Sequence, residues 1–390
     1  MQEAANGPEF MCARCIDDAD LRAIIRANAT SHECSFCGRS SASRPIAAEA
    51  EAVVQLIADY IGQEYEDAAE MVPYESAEGG YQADTKSTDD ILRWEIGLEE
   101  ANAAAWQYII DNLPDVPWVQ KDFFSLHPYD KLRFGWSQFA EAVKHQTRYL
   151  FFEPRPHPRS KWQPEEGIRP EEMLDELGAI LREARRVRTL KAGTVLYRVR
   201  IHGADESPST LADLGPPPAE AAIYANRLSP AGISMLYTAE DEATAVKETV
   251  DASKNPEGAT IATFTLERDV RVVDLVKLRR VPLFNTTLSQ EERARLLFAH
   301  TFAREVRREI VKDGREHIEY VPTQVVTEYL RFRFRSGGKA VEGLRYGSAR
   351  NNGGVNVALF FGKDDVVPIP IISSSPAPVA LVGICKISLP

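Results

Sequence analysis

Two stretches of this sequence carry side chains whose types and spacing suit chemistry. The first is RLSPAGISMLYTAEDEATAVKE, residues 227 to 248, with Arg227, Tyr237 and Glu248 at intervals of ten and eleven. Ser229-Pro230-Ala231-Gly232 reads as a turn and Ile233 to Thr238 as a strand. Thr238 with Asp241 has the spacing of a capping box that opens a helix. Glu248 then falls in the last turn of that helix, where the helix dipole disfavours a carboxylate. A glutamate there is either solvated at mild cost or held by a cation. The second stretch is MCARCIDDADLRAIIRANATSHECSFCGRS, in which Cys12-x-x-Cys15 and Cys34-x-x-Cys37 are separated by 18 residues. Each tight Cys-x-x-Cys turn puts two thiolates on one face of a tetrahedron, the pattern of a four-cysteine zinc site. Gly38 suits the turn that closes the second pair. Four cysteine ligands leave no open position, so the zinc expected here is structural. It would fold about 35 residues otherwise too few to make a core. The fifth cysteine, Cys385, lies in the apolar run ALVGICKISL and reads as a buried strand residue.

The elements that must position these groups change along the chain. Its 390 residues exceed one ordinary core, so two or three domains are expected. Residues 1–10, MQEAANGPEF, read as an added leader before a start at Met11, and residues 11–42 as the zinc module. Residues 46–150 read as a helical domain. AAEAEAVVQLIADYIGQEYEDAAE has apolar residues at helical spacing, and STDDILRWEIGLEEANAAAWQYIIDNL opens on a capping serine, Ser87. RFGWSQFAEAVKHQTRYLFF reads as a third amphipathic helix. Trp94, Trp106 and Trp136 read as core anchors. Residues 151–188 form a proline-rich connector and a helix, since five prolines between 151 and 170 exclude a helix interior. From residue 189 to 390 strands rich in β-branched and aromatic residues alternate with short helices. An α+β domain with an antiparallel-leaning sheet is predicted there.

Charge narrows the partners. Lys and Arg number 46 against 58 Asp and Glu, a formal net charge of −12. That balance, without an interleaved basic–aromatic stretch, argues against a nucleic-acid partner and against an anionic membrane surface. No run of 18 apolar residues is present, so no membrane-spanning helix is expected. The N-terminus lacks the apolar core of a signal peptide, which points to the cytoplasm. No Gly-x-Gly-x-x-Gly follows a strand and no phosphate-binding Walker loop is present.

The segment from about 190 to 375 resembles the RES domain family, which supplies the toxin half of RES–Xre toxin–antitoxin pairs. Arg227, Tyr237 and Glu248 match that family's arginine, its tyrosine after a short strand and its glutamate in the next helix. LYRVR supplies Tyr197 and Arg198 for the opening strand. RYGSARNNGGVNVALFF supplies Ser348 and Asn356 for the closing serine and asparagine. EYVPTQVVTEYLR resembles the segment that precedes that serine in longer members. Around the arginine the family often reads Gly-Arg-Trp-Asn, whereas this chain has Ala225-Asn226-Arg227-Leu228. The helical middle resembles the HEPN-type domain found before some RES domains. His145 lacks the preceding arginine that active HEPN ribonucleases carry. Arg295 and His300 have that spacing, but lie in the C-terminal domain. The middle therefore reads as a packing or oligomerisation module, and a homo-oligomer is expected.

The resemblance implies a fold like the diphtheria-toxin-like ADP-ribosyltransferases, with NAD as substrate and cleavage of its nicotinamide–ribose bond. It casts Arg227, Tyr237 and Glu248 as catalytic, with Arg198, Ser348 and Asn356 completing the NAD pocket. An antitoxin protein is the implied partner. Modification of a protein target by ADP-ribosylation, and an inactive RES-like binding module, are the competing expectations.

Overall fold

The computed structural model describes residues 8–121, 126–151, 167–203, 205–250, 257–281, 284, 288–310, 313–368 and 377–387. It divides the chain into two compact units, Met1–His127 with Arg280–Glu292, and Pro128–Arg279 with Arg293–Pro390.

In the first unit, strands β1 (Phe10–Cys12) and β2 (Ala47–Glu49) pair antiparallel beside helices α1 (Ala19–Ala27), α2 (Ala50–Glu64) and α3 (Ala103–Asp111). Asp18 caps α1 by accepting from the N–H groups of Asp20 and Leu21. Ser87 forms the expected capping box, with Asp90 as its reciprocal partner. Leu21, Ile25, Ile57, Ile61, Trp106 and Ile109 form one core, and Cys12, Cys15 and Cys34 belong to it. The cysteine module therefore shares a core with the helices instead of folding as a separate small unit. Phe10 pairs with Glu49, and the Glu9 carbonyl accepts from Ala50 N, so the end of the stretch read as a leader joins the fold. The helix read from Ser87 onward is broken. A π-turn over Ile91–Glu95 leads to Gly97 at φ +72, and regular helix resumes only at Ala103. Trp94, on that turn, is 79% exposed and anchors no core, unlike the buried Trp106.

The second unit is built on a nine-stranded sheet. In chain order its strands are β3 (Val187–Leu190), β4 (Val195–His202), β5 (Leu236–Ala239), β6 (Gly258–Leu266), β7 (Val270–Asp274), β8 (Gly343–Gly347), β9 (Val355–Leu359), β10 (Val366–Pro368) and β11 (Val379–Ile387). Across the sheet the order is β10-β11-β6-β4-β5-β9-β8-β7-β3. Neighbours run antiparallel except β7 with β8 and β10 with β11, matching the antiparallel-leaning expectation. The longer helices here are α4 (Pro128–Glu141), α5 (Met173–Glu183), α6 (Glu242–Thr249), α7 (Gln290–Arg307) and α8 (Val321–Phe332). Trp136 and Phe139 of α4 pack with Leu177, Phe298, Phe302 and Leu330 over Val273, Leu344 and Ala358 of the sheet. The helix read with the helical middle thus contributes to the core of this unit. A second apolar cluster joins Leu196, Leu236, Phe264, Val272, Val357 and Leu359, drawn from the strands. Cys385 does lie in β11, but it is exposed, because only the first residues of that strand are buried. Most of the proline-rich stretch lies outside the described residues. Among the described residues no helix is long and apolar enough to cross a membrane.

An ion cluster ties the sheet together where the site is built. The Arg345 side chain, 5% exposed on β8, donates to both carboxylate oxygens of Glu240 at 2.6 and 2.8 Å, just beyond β5. It also donates to Asp274 of β7 at 3.0 and 3.2 Å. A charge so enclosed is tolerable only with its partners in place. Arg345→Ala leaves Asp274 only the exposed Arg188 at 3.7 Å and the Val276 N–H, and we expect denaturant unfolding to show a loss of about 3 kcal/mol.

Candidate active site

A cleft of about 1020 Å³ opens in the second unit, lined by parts of β4, β5, β8, β9, α6 and the loop of residues 221–229. It lies where the sheet is least closed, since β4 and β5 share a single paired position, Tyr197 with Ala239. Strand register puts Tyr237, Ala239, Asn356 and Tyr346 on one face, through the pairs Tyr237–Ala358, Ala239–Asn356 and Asn356–Tyr346.

Glu248 is at the centre of the hydrogen-bond network. Helix α6 has only eight residues, and its cap is Asp241, which accepts from Thr244 N at 2.8 Å. Thr238 is not the cap; it stays in β5, donating its hydroxyl to the Val357 carbonyl. Glu248 falls in the last turn as expected, but among the described residues no cation pairs with its carboxylate. Ser348 Oγ donates to Glu248 Oε1 at 2.5 Å, and Asn356 Nδ2 donates to the same oxygen at 2.8 Å. Oε2 accepts no hydrogen bond among the described residues. Ser348 and Asn356 are themselves buried. The Ser348 hydroxyl accepts from Asn351 N at 2.8 Å and Arg350 N at 3.1 Å, which aims its proton at the carboxylate. Asn351 also clamps the loop to α6, donating to Thr244 Oγ1 at 2.7 Å and accepting from Lys247 at 2.9 Å.

Arg227 sits on a loop fixed from below by α8. Buried Thr323 donates to the Arg227 carbonyl at 2.6 Å, and buried Gln324 donates to the carbonyls of Asn226 and Ser229. The Arg227 guanidinium lies over the Tyr320 ring, 5.7 Å from its centroid. It makes no ion pair with Glu248. Tyr237 exchanges a hydrogen bond with Ser229 Oγ at 2.9 Å, and burial pushes its phenol up to about 12, so it stays protonated at neutral pH. Burial pushes Tyr346 up as well. Arg198 is the anomaly of the site. Its Nη1 is shut off from solvent without a hydrogen-bond partner. Burial, with Arg200 nearby, lowers its pKa from 12.5 to about 10.

The structure therefore brings Arg198, Arg227, Tyr237, Glu248 and Asn356 to one cleft, with Ser348 beneath the carboxylate. Sequence reasoning missed Ser229, Tyr346 and Asn351. Tyr346 and Asn351 flank the predicted Ser348 closely enough to have been suspected. Arg295 and His300 are engaged elsewhere: the arginine pairs with Glu176 and Glu183, and His300 Nε2 bonds the Arg279 carbonyl.

In the first unit the four cysteine sulfurs lie within 4.8 Å of one another. The Cys12–Cys15, Cys12–Cys37 and Cys15–Cys34 separations are 3.8, 3.6 and 3.7 Å. A zinc–sulfur bond of about 2.3 Å sets a tetrahedral edge of about 3.8 Å, so the donor set fits that metal. Gly38 takes φ +65, as the closing turn requires.

The RES domain matches residues 195–379, and HEPN/RES N-terminal domain 1 matches residues 27–157. Residues 195–379 thus form a RES domain, preceded by a HEPN/RES N-terminal domain. Among solved structures, a chain of the M. tuberculosis MbcT-MbcA toxin-antitoxin complex is similar at 17% identity. The match covers 55% of this RES protein and 94% of that chain, with a TM-score of 0.30. No curated protein matches.

Arg198 gives the sharpest test of the site without any ligand. Arg198→Met removes an unsatisfied buried donor, and we expect the unliganded protein to gain about 1–3 kcal/mol in denaturant unfolding. That sign is opposite to the effect of removing Arg345.

Proposed function

We propose that this RES protein is a toxin that cleaves the nicotinamide–ribose bond of NAD. The observation that carries the reading is Glu248, fixed through one carboxylate oxygen by two buried donors while the other oxygen is uncommitted beside a cleft of dinucleotide size. Breaking the bond between the ribose anomeric carbon and the ring nitrogen sends the electron pair to nicotinamide, which leaves neutral. Positive charge then develops on the ribose, and a fixed carboxylate stabilises it. A hydrogen bond from a ribose hydroxyl to that carboxylate strengthens as the charge grows. Water or phosphate completes the reaction by adding to the anomeric carbon and releasing a proton. Arg198 and Arg227 suit the diphosphate, because a guanidinium fork matches phosphate oxygens. Tyr237 offers the nicotinamide an aromatic face. Kinship with the diphtheria-toxin-like ADP-ribosyltransferase fold, an inhibitory antitoxin partner and self-association belong to the same proposal. So does a structural zinc on Cys12, Cys15, Cys34 and Cys37, which would supply cross-linking and no chemistry.

Wild-type protein incubated with NAD should release free nicotinamide, with ADP-ribose or its phosphorylated form as the second product. Glu248→Gln keeps size and hydrogen bonding but removes the charge. We expect turnover to fall by about 10²-fold or more with unchanged circular dichroism. Unchanged turnover in that variant would refute the mechanism. Nicotinamide release only when a protein acceptor is present would replace NAD hydrolysis or phosphorolysis with ADP-ribosylation. For the cysteines, elemental analysis of protein purified without chelator should find one zinc per chain, and a ratio near zero would remove the metal.

A further inference from the structure

A second concavity lies in the same unit, behind the loop that holds Glu248. It encloses about 590 Å³ and is lined by Tyr129 and Arg133 of α4, by Arg304, Arg307 and neighbouring residues of α7, and by Ala349. Its lining has four arginines, Arg133, Arg304, Arg307 and Arg308, against two glutamates, Glu305 and Glu309. In a chain of net charge −12 this local excess of positive charge runs against the overall balance. Both glutamates are engaged: Glu305 faces Arg308 at 3.6 Å and Glu309 faces Arg350 at 3.4 Å. Among the described residues, Arg304 and Arg307 meet no carboxylate.

The arginines are also oriented. Tyr129 OH and Thr301 Oγ1 share a hydrogen bond of 2.8 Å, and Arg304 Nη2 donates to that threonine at 3.0 Å. Arg133 stacks over the Tyr129 ring, 5.6 Å from its centroid. Arg307 donates through Nε to the Ser348 carbonyl at 2.8 Å, which leaves its terminal nitrogens for another acceptor. Residues 304, 307 and 308 stand three and four apart, so they share one face of the helix and its end.

We propose that this concavity is a second binding site, for a small multivalent oxyanion of the condensed-phosphate class. Arg133 pairs with Asp130, and Arg308 with Glu305 and Glu319, so Arg304 and Arg307 are the guanidinium groups left to an acceptor with several negatively charged oxygens. An occupant would bear on Arg307, the group that holds the Ser348 carbonyl, and would stiffen the loop that supports Glu248. The inference stands apart from NAD cleavage, since its test reads binding alone.

The test is calorimetric titration of the full-length protein with inorganic tripolyphosphate at fixed ionic strength. Wild type should bind. The double variant R198Q/R227Q, which removes two of the three arginines lining the cleft, should bind within about twofold of wild type, because the second site is intact. Arg304→Gln, an exposed substitution, should weaken binding by at least about tenfold, as expected for one lost charge-assisted hydrogen bond. Binding lost in the double variant and retained in R304Q would assign the anion to the cleft and overturn the proposal. Absence of binding by wild type at millimolar tripolyphosphate would also overturn it.

Discussion

The site depends on how a carboxylate is kept at the wrong end of a helix. Glu248 sits in the last turn of α6, where the backbone carbonyls already carry partial negative charge. Eight residues of helix cannot fix that side chain alone. Ser348 and Asn356, about a hundred residues later, supply the donors. Those donors are in place only if β8 and β9 lie correctly beside β5, and this is where Arg345 matters. Its bonds to Glu240 and Asp274 join the end of β5 to β7 across β8. Asn351 then locks the loop between β8 and β9 onto α6. The position of one carboxylate therefore rests on contacts between four strands and a helix.

Neutral donors at Glu248 have a chemical consequence. An arginine bridging to the carboxylate would hold it as firmly, but would cancel its charge in the place where charge is wanted. A hydroxyl and an amide fix geometry and leave the negative charge available. The two arginines assigned to the diphosphate are held apart from that carboxylate. Arg227 rests on an aromatic ring, and Arg198 keeps one nitrogen unpaired in the protein interior. A buried guanidinium nitrogen without a partner costs stability, in contrast to the paired Arg345; under the proposed function a ligand would supply that partner. Proteins carry local instability of this kind mainly where function requires it.

Much of the sheet was legible because its strands are rich in β-branched residues and its helices are periodic. The three residues of the opening segment were legible as a set, and the structure brings them to one cleft. The nature of their support was not. Sequence gives the spacing of Glu248 from Asp241, but not that its partners arrive from β8 and β9, because register between distant strands is set by tertiary packing. The exposed faces were misread for the same reason. Trp94 looks like a core anchor until Gly97 breaks the helix and turns that segment outward. Cys385 sits in an apolar run, yet the burial of β11 stops after Leu381. Thr238 and Asp241 fit a capping box, but the threonine hydroxyl was taken by the neighbouring strand, and Asp241 caps alone.

The cysteine cluster shows the limit of motif spacing from the other side. Spacing singles out four cysteines, and their sulfur separations fit a tetrahedron. It did not reveal that Cys12, Cys15 and Cys34 pack in the same core as Ile57, Ile61 and Trp106. A free-standing zinc knuckle has to draw nearly all its stability from metal binding, since its own apolar burial is too small. Here the surrounding core buries Cys12, Cys15 and Cys34 while Cys37 stays exposed, so a zinc, as proposed, would stabilise the same core as helix packing. Loss of the ion would thus leave buried polarisable thiols among apolar side chains, which behave as small hydrophobes. The helical core can remain folded under such a loss, whereas an isolated knuckle cannot, and the module is better understood as a brace within a domain than as a domain.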